Sequence, residues 1–319
     1  MRKTIVAALL AACAACTACT APAPQEAGSG PASTSATVAF PRTVRVGEAD
    51  VTVPAKPQRI AVLTPDLTAL ALPLAGKERV VMAAEMNPEL GQVAADANSI
   101  EHVLKVGAPV DPEHILSASP DLVLISARSD SEKDATAMLR DAGLPLAVVS
   151  TDAWTGIDDI LTHIGEVSQL LGEEAAGEQM RADITQRRAA VKHTTSTPSV
   201  ATIVHRGGKD MIMGKSTILN GLVREAGGRP IIDTLGAPGS VPADPEALLK
   251  ANPEVIIVQK YRGRGADELR PLLDNPALAQ VPAIKNGRVY YVDSATTGVT
   301  SAAGIVDGLE QVAGFLSEG

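Results

Sequence analysis

Hydrophobic and polar positions along the chain write one pattern twice. Residues 110–125 read VDPEHILSASPDLVLI and residues 243–258 read ADPEALLKANPEVIIV, 133 positions further on. Asp111 and Asp244 suit helix N-caps, Pro112 and Pro245 the first helical position, and Glu113 and Glu246 the positive helix start. Pro120 and Pro253 end each short helix, and the apolar runs LVLI and VIIV predict strands buried on both faces. A helix-to-strand unit repeated at this interval predicts two similar α/β lobes.

The rest of the pattern fills in both lobes. TVRVGEADVTVP alternates as a hairpin, Arg59 to Leu63 reads as a buried strand, and LTALALPLAG is a helix closed by Gly76. A second strand is predicted over 79–83, a helix over 132–142 and a strand over 146–150. Residues 155–193 lack proline and place Ile157, Ile160, Leu161, Ile164, Val167, Leu170 and Leu171 at helical spacing. Gly172 predicts a break into two helices, the second of ~20 residues and ~30 Å, enough to cross between domains. Beyond Pro198 come a strand at 200–204, a helix at 216–226 capped by Gly227 and Gly228, the second repeat unit, a strand at 288–293 and a closing helix at 302–315. Strands alternating with helices predict mainly parallel sheets.

At 319 residues and 45% hydrophobic, the chain can bury the cores of about two domains. Its net charge of -9, or -11 without Arg2 and Lys3, argues against nucleic acid or an anionic membrane surface as the main partner. The start, MRKTIVAALLAACAACTACTAPAP, has a basic end and an apolar run too short to span a membrane, as an export signal does. Leu10-Ala11-Ala12-Cys13 resembles the bacterial lipobox, which predicts a signal peptide over 1–12 and lipidation of Cys13; Cys16 and Cys19 lack a Leu three positions before them. The Pro/Ala/Ser/Gly-rich stretch that follows predicts a flexible tether over 13–40. All three cysteines lie in this leader, so the lobes contain neither a disulfide nor a catalytic thiol. The C-x-x-C-x-x-C spacing there has no strand or supporting shell around it and is read as lipidation rather than a metal site.

Several short stretches, in order and spacing, carry a family resemblance. They are Arg59 to Leu63, Val106-Gly107 ahead of Asp111-Pro112-Glu113, Pro120 to Leu124, Ala226-Gly227-Gly228, Pro253 to Ile257, and Val281 to Tyr290. Over residues 56–316 the chain resembles the substrate-binding lipoproteins of ABC importers for iron chelates and cobalamin. The resemblance implies an α/β fold with two Rossmann-like lobes of mainly parallel sheets, 41–171 and 196–319, joined by one long α-helix at 172–195. It implies a monomeric receptor, not an enzyme, with no catalytic cofactor. The ligand would be a ferric siderophore or haem, with cobalamin the alternative. Its partners would be an ABC permease and its ATPase, reached from outside the membrane on the lipid of Cys13. In that family one glutamate per lobe docks on the permease, a role that Glu113 and Glu246 fit. Haem binders of the group often place an axial tyrosine before a proline after the second strand, where this chain departs with Met86-Asn87-Pro88; Tyr261, among Lys260, Arg262 and Arg264, could serve as the axial phenolate instead.

Ligands of open parallel sheets sit beyond the carboxyl ends of the strands. That rule selects Thr64, Asp66, Glu85 to Asn87, Ser126, Arg128 and Thr151 to Trp154 from one lobe, and His205, Arg206, Lys209, Lys260 to Arg264 and Asp293 to Thr297 from the other. The ligand-binding candidates are Met86, Arg128, Trp154, His205, Arg206, Tyr261, Arg262 and Arg264. Cations gather in the second lobe, which predicts an anionic or carboxylate-bearing ligand, and two of Arg206, Arg262 and Arg264 are expected in the cleft. His205 or Tyr261 would ligate the iron if the ligand is haem; otherwise His205 is a hydrogen-bonded loop residue. Trp154 reads either as pocket wall or as a staple at the next helix start. His102, His114, His163 and His193 read as surface residues. Gly214-Lys215-Ser216 is no phosphate loop, since that frame needs glycine where Lys209 stands. An enzyme on a doubly wound fold lacks here a G-x-G-x-x-G after the first strand, clustered His/Asp ligands and a nucleophile elbow. A purely structural envelope lipoprotein would not need a two-lobed cleft.

Overall fold

The computed structural model describes residues 39–105, 107–127, 130–149, 154–237 and 239–318. Cys13, the signal peptide and the tether up to residue 38 lie outside the described residues, as do Arg128 and residues 150–153. The alternating start folds as a hairpin of β1 (Arg42–Val46) and β2 (Ala49–Val53), with Val44, Val46, Val51 and Val53 turned inward. The first lobe is a parallel sheet of β3 (Ile60–Val62), β4 (Val80–Ala84), β5 (His102–Leu104), β6 (Leu122–Ile125) and β7 (Leu146–Val148), ordered β5-β4-β3-β6-β7. The second is mixed: β8 (Ser199–Arg206) pairs antiparallel with β9 (Lys209–Ile212) and parallel with both β10 (Arg229–Pro230) and β12 (Val255–Lys260). The short β11 (Val241–Pro242) extends β9, and β13 (Val289–Asp293) flanks β12. Among the described residues no helix is long and apolar enough to cross a membrane.

The sequence repeat is a repeat of bonds as well as letters. Helices Pro112–Ser117 and Pro245–Ala251 are both capped by their Asp: Asp111 accepts from the N–H groups of Glu113 and His114, and Asp244 from that of Ala247. Ile115 and Leu248, at matching positions, are fully buried. Ser119 and Asn252, one residue before each proline, take left-handed φ values of 48° and 47°. The acidic residue after each proline then clips the central strand of its sheet. Asp121 accepts from the backbone N–H groups of Gln58 (2.7 Å) and Arg59 (2.9 Å) at the entry to β3. Glu254 accepts from the N–H (2.7 Å) and hydroxyl (3.1 Å) of Ser199 at the start of β8. A reciprocal bond runs back from Asp121 N–H to Arg59 O (2.8 Å) and from Glu254 N–H to Ser199 O (2.9 Å).

Between the lobes the chain forms two helices, Ile157–Leu171 and Glu174–Ala190, with Gly172 in the left-handed conformation between them. The first is amphipathic, and Ile157, Ile160, Ile164, Val167, Leu170 and Leu171 are all buried. They join one continuous apolar core that also holds Leu67 and Leu70 of the first lobe and Val200, Leu219, Leu222 and Leu309 of the second. Helix Ile218–Glu225 approaches so closely that a Cβ on Gly221 would lie 2.0 Å from the Thr155 carbonyl oxygen. The second helix is polar and held by ion pairs. Glu173 at its start meets Arg79 (2.6 Å) and Lys56 (2.7 Å) of the first lobe, and Arg188 near its end binds Asp158 (2.5 Å) and Glu225 of the second. Hydrogen bonding from Arg188 holds the Asp158 carboxyl below its ordinary range.

Candidate functional site

A cavity of about 550 Å³ opens between the carboxyl ends of the two sheets. On the first lobe, β3 ends at Val62, and two residues on Thr64 is already the cap of helix Pro65–Ala75, so the strand turns almost straight into a helix start. Three small polar groups meet there, all buried. The Ser126 hydroxyl lies 3.0 Å from Thr64 Oγ1 and 3.1 Å from Asp66 Oδ1, and Asp66 reaches the cavity wall. The helix start favours the Asp66 carboxylate in its first turn. Lys105, Glu132 and the turn 107–110 complete this side, with Lys105 paired to Glu85 at 3.1 Å.

The opposite wall follows from the pleat of β8. Val200 and Val204 face the core shared with the linking helices, and Thr202 donates to Asn220 on the same side (2.8 Å); Ala201 and Ile203 face the other way. Period-two alternation therefore turns Arg206 into the cavity and His205 away from it. The Arg206 guanidinium lies over the Tyr261 ring, 4.5 Å from its centroid. Tyr261 opens a tight turn in which its N–H donates to Arg264 O (2.8 Å) and Arg264 N–H donates back (3.2 Å). Gln259, buried beside it, donates twice to Thr297 at 3.0 Å. Met213 and the stretch 216–218 line the same wall.

Several sequence-based expectations need correction. His205 does not face the cavity: its Nδ1 is held 2.6 Å from Asp210 Oδ1 across the β8–β9 hairpin. Met86 is core, 1% exposed, its backbone clamped by the Asn98 side chain through two 2.9 Å bonds. Arg262 and Arg264 stand exposed on the turn after Tyr261, so of the three arginines Arg206 alone lines the cavity. His163 is buried rather than superficial. Its ring lies against that of Trp154 (centroids 4.6 Å apart), and its Nδ1 meets Glu166 at 2.8 Å. Trp154 is thus both wall and buried prop, and its Nε1 has no hydrogen-bond partner among the described residues. Nor do cations dominate: among the described residues the wall carries Asp66 and Glu132 beside Lys105 and Arg206.

Lys105 and Glu132 escaped the sequence reading, as did Ser216 and Thr217. Lys105 follows β5, a three-residue strand too short to register as a pattern, and Ser216 and Thr217 sit at a helix start rather than a strand end. Glu113 and Glu246 are both exposed, in the first turns of their matching helices.

Comparison with known proteins agrees with this architecture. A putative ABC transporter substrate-binding lipoprotein, YhfQ of Bacillus subtilis (strain 168), is 27% identical over 232 residues, 66% of this chain and 70% of that protein. The ferric-anguibactin-binding protein FatB of Vibrio anguillarum (strain ATCC 68554 / 775) is 24% identical over 266 residues, 78% of each. Among solved structures, an ABC-type Fe3+-hydroxamate transport system from Saccharomonospora viridis DSM 43017 superposes with a TM-score of 0.69 at 21% identity, over 87% of this chain and 99% of that one. Residues 60–296, from the first strand of one lobe to the cleft edge of the other, match the family profile described as periplasmic binding protein, and the chain belongs to that family.

Proposed function

We propose that this protein is the receptor of an ABC importer, which captures a ferric siderophore in the cleft and hands it to the membrane permease. The cleft itself carries the reading. A cavity of about 550 Å³ walled by Trp154, Tyr261 and Met213, with Arg206, Lys105 and the hydroxyls of Ser216, Thr217 and Thr297 among them, suits a ligand with flat apolar parts and several oxygens. The relatives named for a ferric siderophore and for substrate binding in ABC transport support the same assignment. Lipidation of Cys13 would hold the receptor at the outer face of the cell membrane, and Glu113 with Glu246 would dock it on the permease. Its work is binding and release, without turnover.

Haem is the second reading, carried by Tyr261: its phenol oxygen is a competent axial ligand, and the Arg206 guanidinium stacked on the ring would steady the phenolate. Trp154 is the single tryptophan and lines the cavity, so its fluorescence reports the site. Purified protein is titrated with ferric hydroxamate and catecholate siderophores, haemin and cobalamin. Stoichiometric quenching by a ferric siderophore, weakened about tenfold or more in Arg206→Ala, is the expected result. A Soret shift with haemin that disappears in Tyr261→Ala would move the assignment to haem. Saturable binding of none of these compounds would end it.

A further inference from the structure

The two repeated helices differ from an ordinary amphipathic pair in what they leave outside. Ile115 and Leu248 point inward and are fully buried, yet the next residue in each, Leu116 and Leu249, stands 40% and 45% exposed. Large apolar side chains so exposed number four among the described residues, the others being Met138 and Tyr291. Two of the four occupy the same position of a repeat whose copies lie in different lobes. Exposed apolar side chains are individually unremarkable on a protein surface; the same one, kept outside twice at matching sites, is not explained by packing within either lobe.

Each leucine follows a repeated glutamate by three positions. On a helix that spacing puts both on one face, so Glu113 with Leu116, and Glu246 with Leu249, form two copies of one small surface: a carboxylate beside an isobutyl group. Both copies lie next to the cleft. Residues 107–110, which line the cavity, run directly into the cap Asp111. Gly214, beside the cavity residues Met213 and Ser216, packs on Gly239 and Ser240, shortly before the cap Asp244.

We infer that Leu116 and Leu249 are the apolar half of a duplicated docking surface, and that its occupant is the membrane permease, presenting two like sites, each with a basic group beside an apolar hollow. Two equivalent surfaces on one chain are met most economically by a partner with two equivalent halves. The carboxylate supplies charge complementarity and steering, and the leucine supplies area that loses water on contact. This rests on the transport reading above and adds the leucines to it.

The test measures binding of the full-length receptor to nanodiscs carrying the permease and ATPase of its importer. Leu116→Ser and Leu249→Ser should each weaken binding about tenfold and the double variant about a hundredfold, the scale expected for a half-exposed leucine that becomes buried. Met138→Ser, 55% exposed at a position outside the repeat, should leave it unchanged. Melting curves and Trp154 quenching verify that each variant is folded and its cleft competent. Full binding by the leucine double variant, with loss in Glu113→Ala/Glu246→Ala, would overturn the inference and leave glutamate docking standing. Full binding by every variant would overturn the docking reading itself. A parental protein that dimerises in sedimentation, and stops doing so in the leucine double variant, would reassign the surface to a second copy of this chain.

Discussion

The two lobes carry one scaffold and two different ligand walls. Each places its repeated helix through an Asp cap, buries one aliphatic residue from it, bends before a proline, and clips the entry of its central strand with an acidic side chain. Beyond that strand the likeness stops. β3 has three residues and gives way within two positions to a helix, where Ser126, bonded to Thr64, meets Asp66 behind the cavity wall. β8 has eight residues and folds back as a hairpin with β9, which carries Arg206 out over Tyr261. Duplicated positions hold the architecture, and unduplicated ones line the cavity. The cleft therefore offers a carboxyl group backed by buried hydroxyls on one side and a cation stacked on an aromatic ring on the other, a pairing suited to an asymmetric ligand held in one orientation.

The equivalence can be tested position by position. Ile115→Ala and Leu248→Ala should each destabilise the protein by about 2–4 kcal/mol in denaturant unfolding, because both remove a buried branched side chain from a matching site. Costs differing by more than twofold would break the equivalence. The clips should rank next. Asp121→Ala removes an acceptor from two backbone N–H groups and should cost about 1–2 kcal/mol, whereas Glu254→Ala, which also serves a hydroxyl that water can satisfy, should cost about 1 or less. The smallest effect is a gain. Ser119→Gly should stabilise by about 0.5–1 kcal/mol by relieving a left-handed residue, while Asn252→Gly should change stability by a few tenths, since Asn tolerates that conformation. Equal gains at both sites would show that the side chain at this bend carries no local preference.

Much of the scaffold was legible because it rests on local chemistry. The caps, the prolines, the buried runs and the break at Gly172 are all written in short stretches, as is the β1–β2 hairpin. β5, β10 and β11, of two or three residues each, and β9, with the charged start Lys209-Asp210, carry no such signal and exist because a neighbouring strand edge recruits them. The site was less legible for a related reason. Whether His205 or Arg206 faces the cleft depends on the phase of a pleat that β12 and β9 set, one residue either way. Met86 follows a strand as a cleft residue would, but the Asn98 clamp turns it into the core. Arg262 and Arg264 belong to a turn whose geometry, with Arg262 at a left-handed φ of 54°, sends them to solvent.

The core that passes unbroken through helix Ile157–Leu171 has a consequence for how such a receptor can change over evolutionary time. Neither lobe is a module that can be exchanged by cutting at the connector, because residues such as Leu70 and Leu219 are packed into the same interior and Gly221 has room only for the Thr155 carbonyl. A chimaera that took one lobe from a relative would inherit half of a fitted interior. New ligand preferences are then expected to arise at the strand ends, where the lobes already differ, with the inherited frame left as it is.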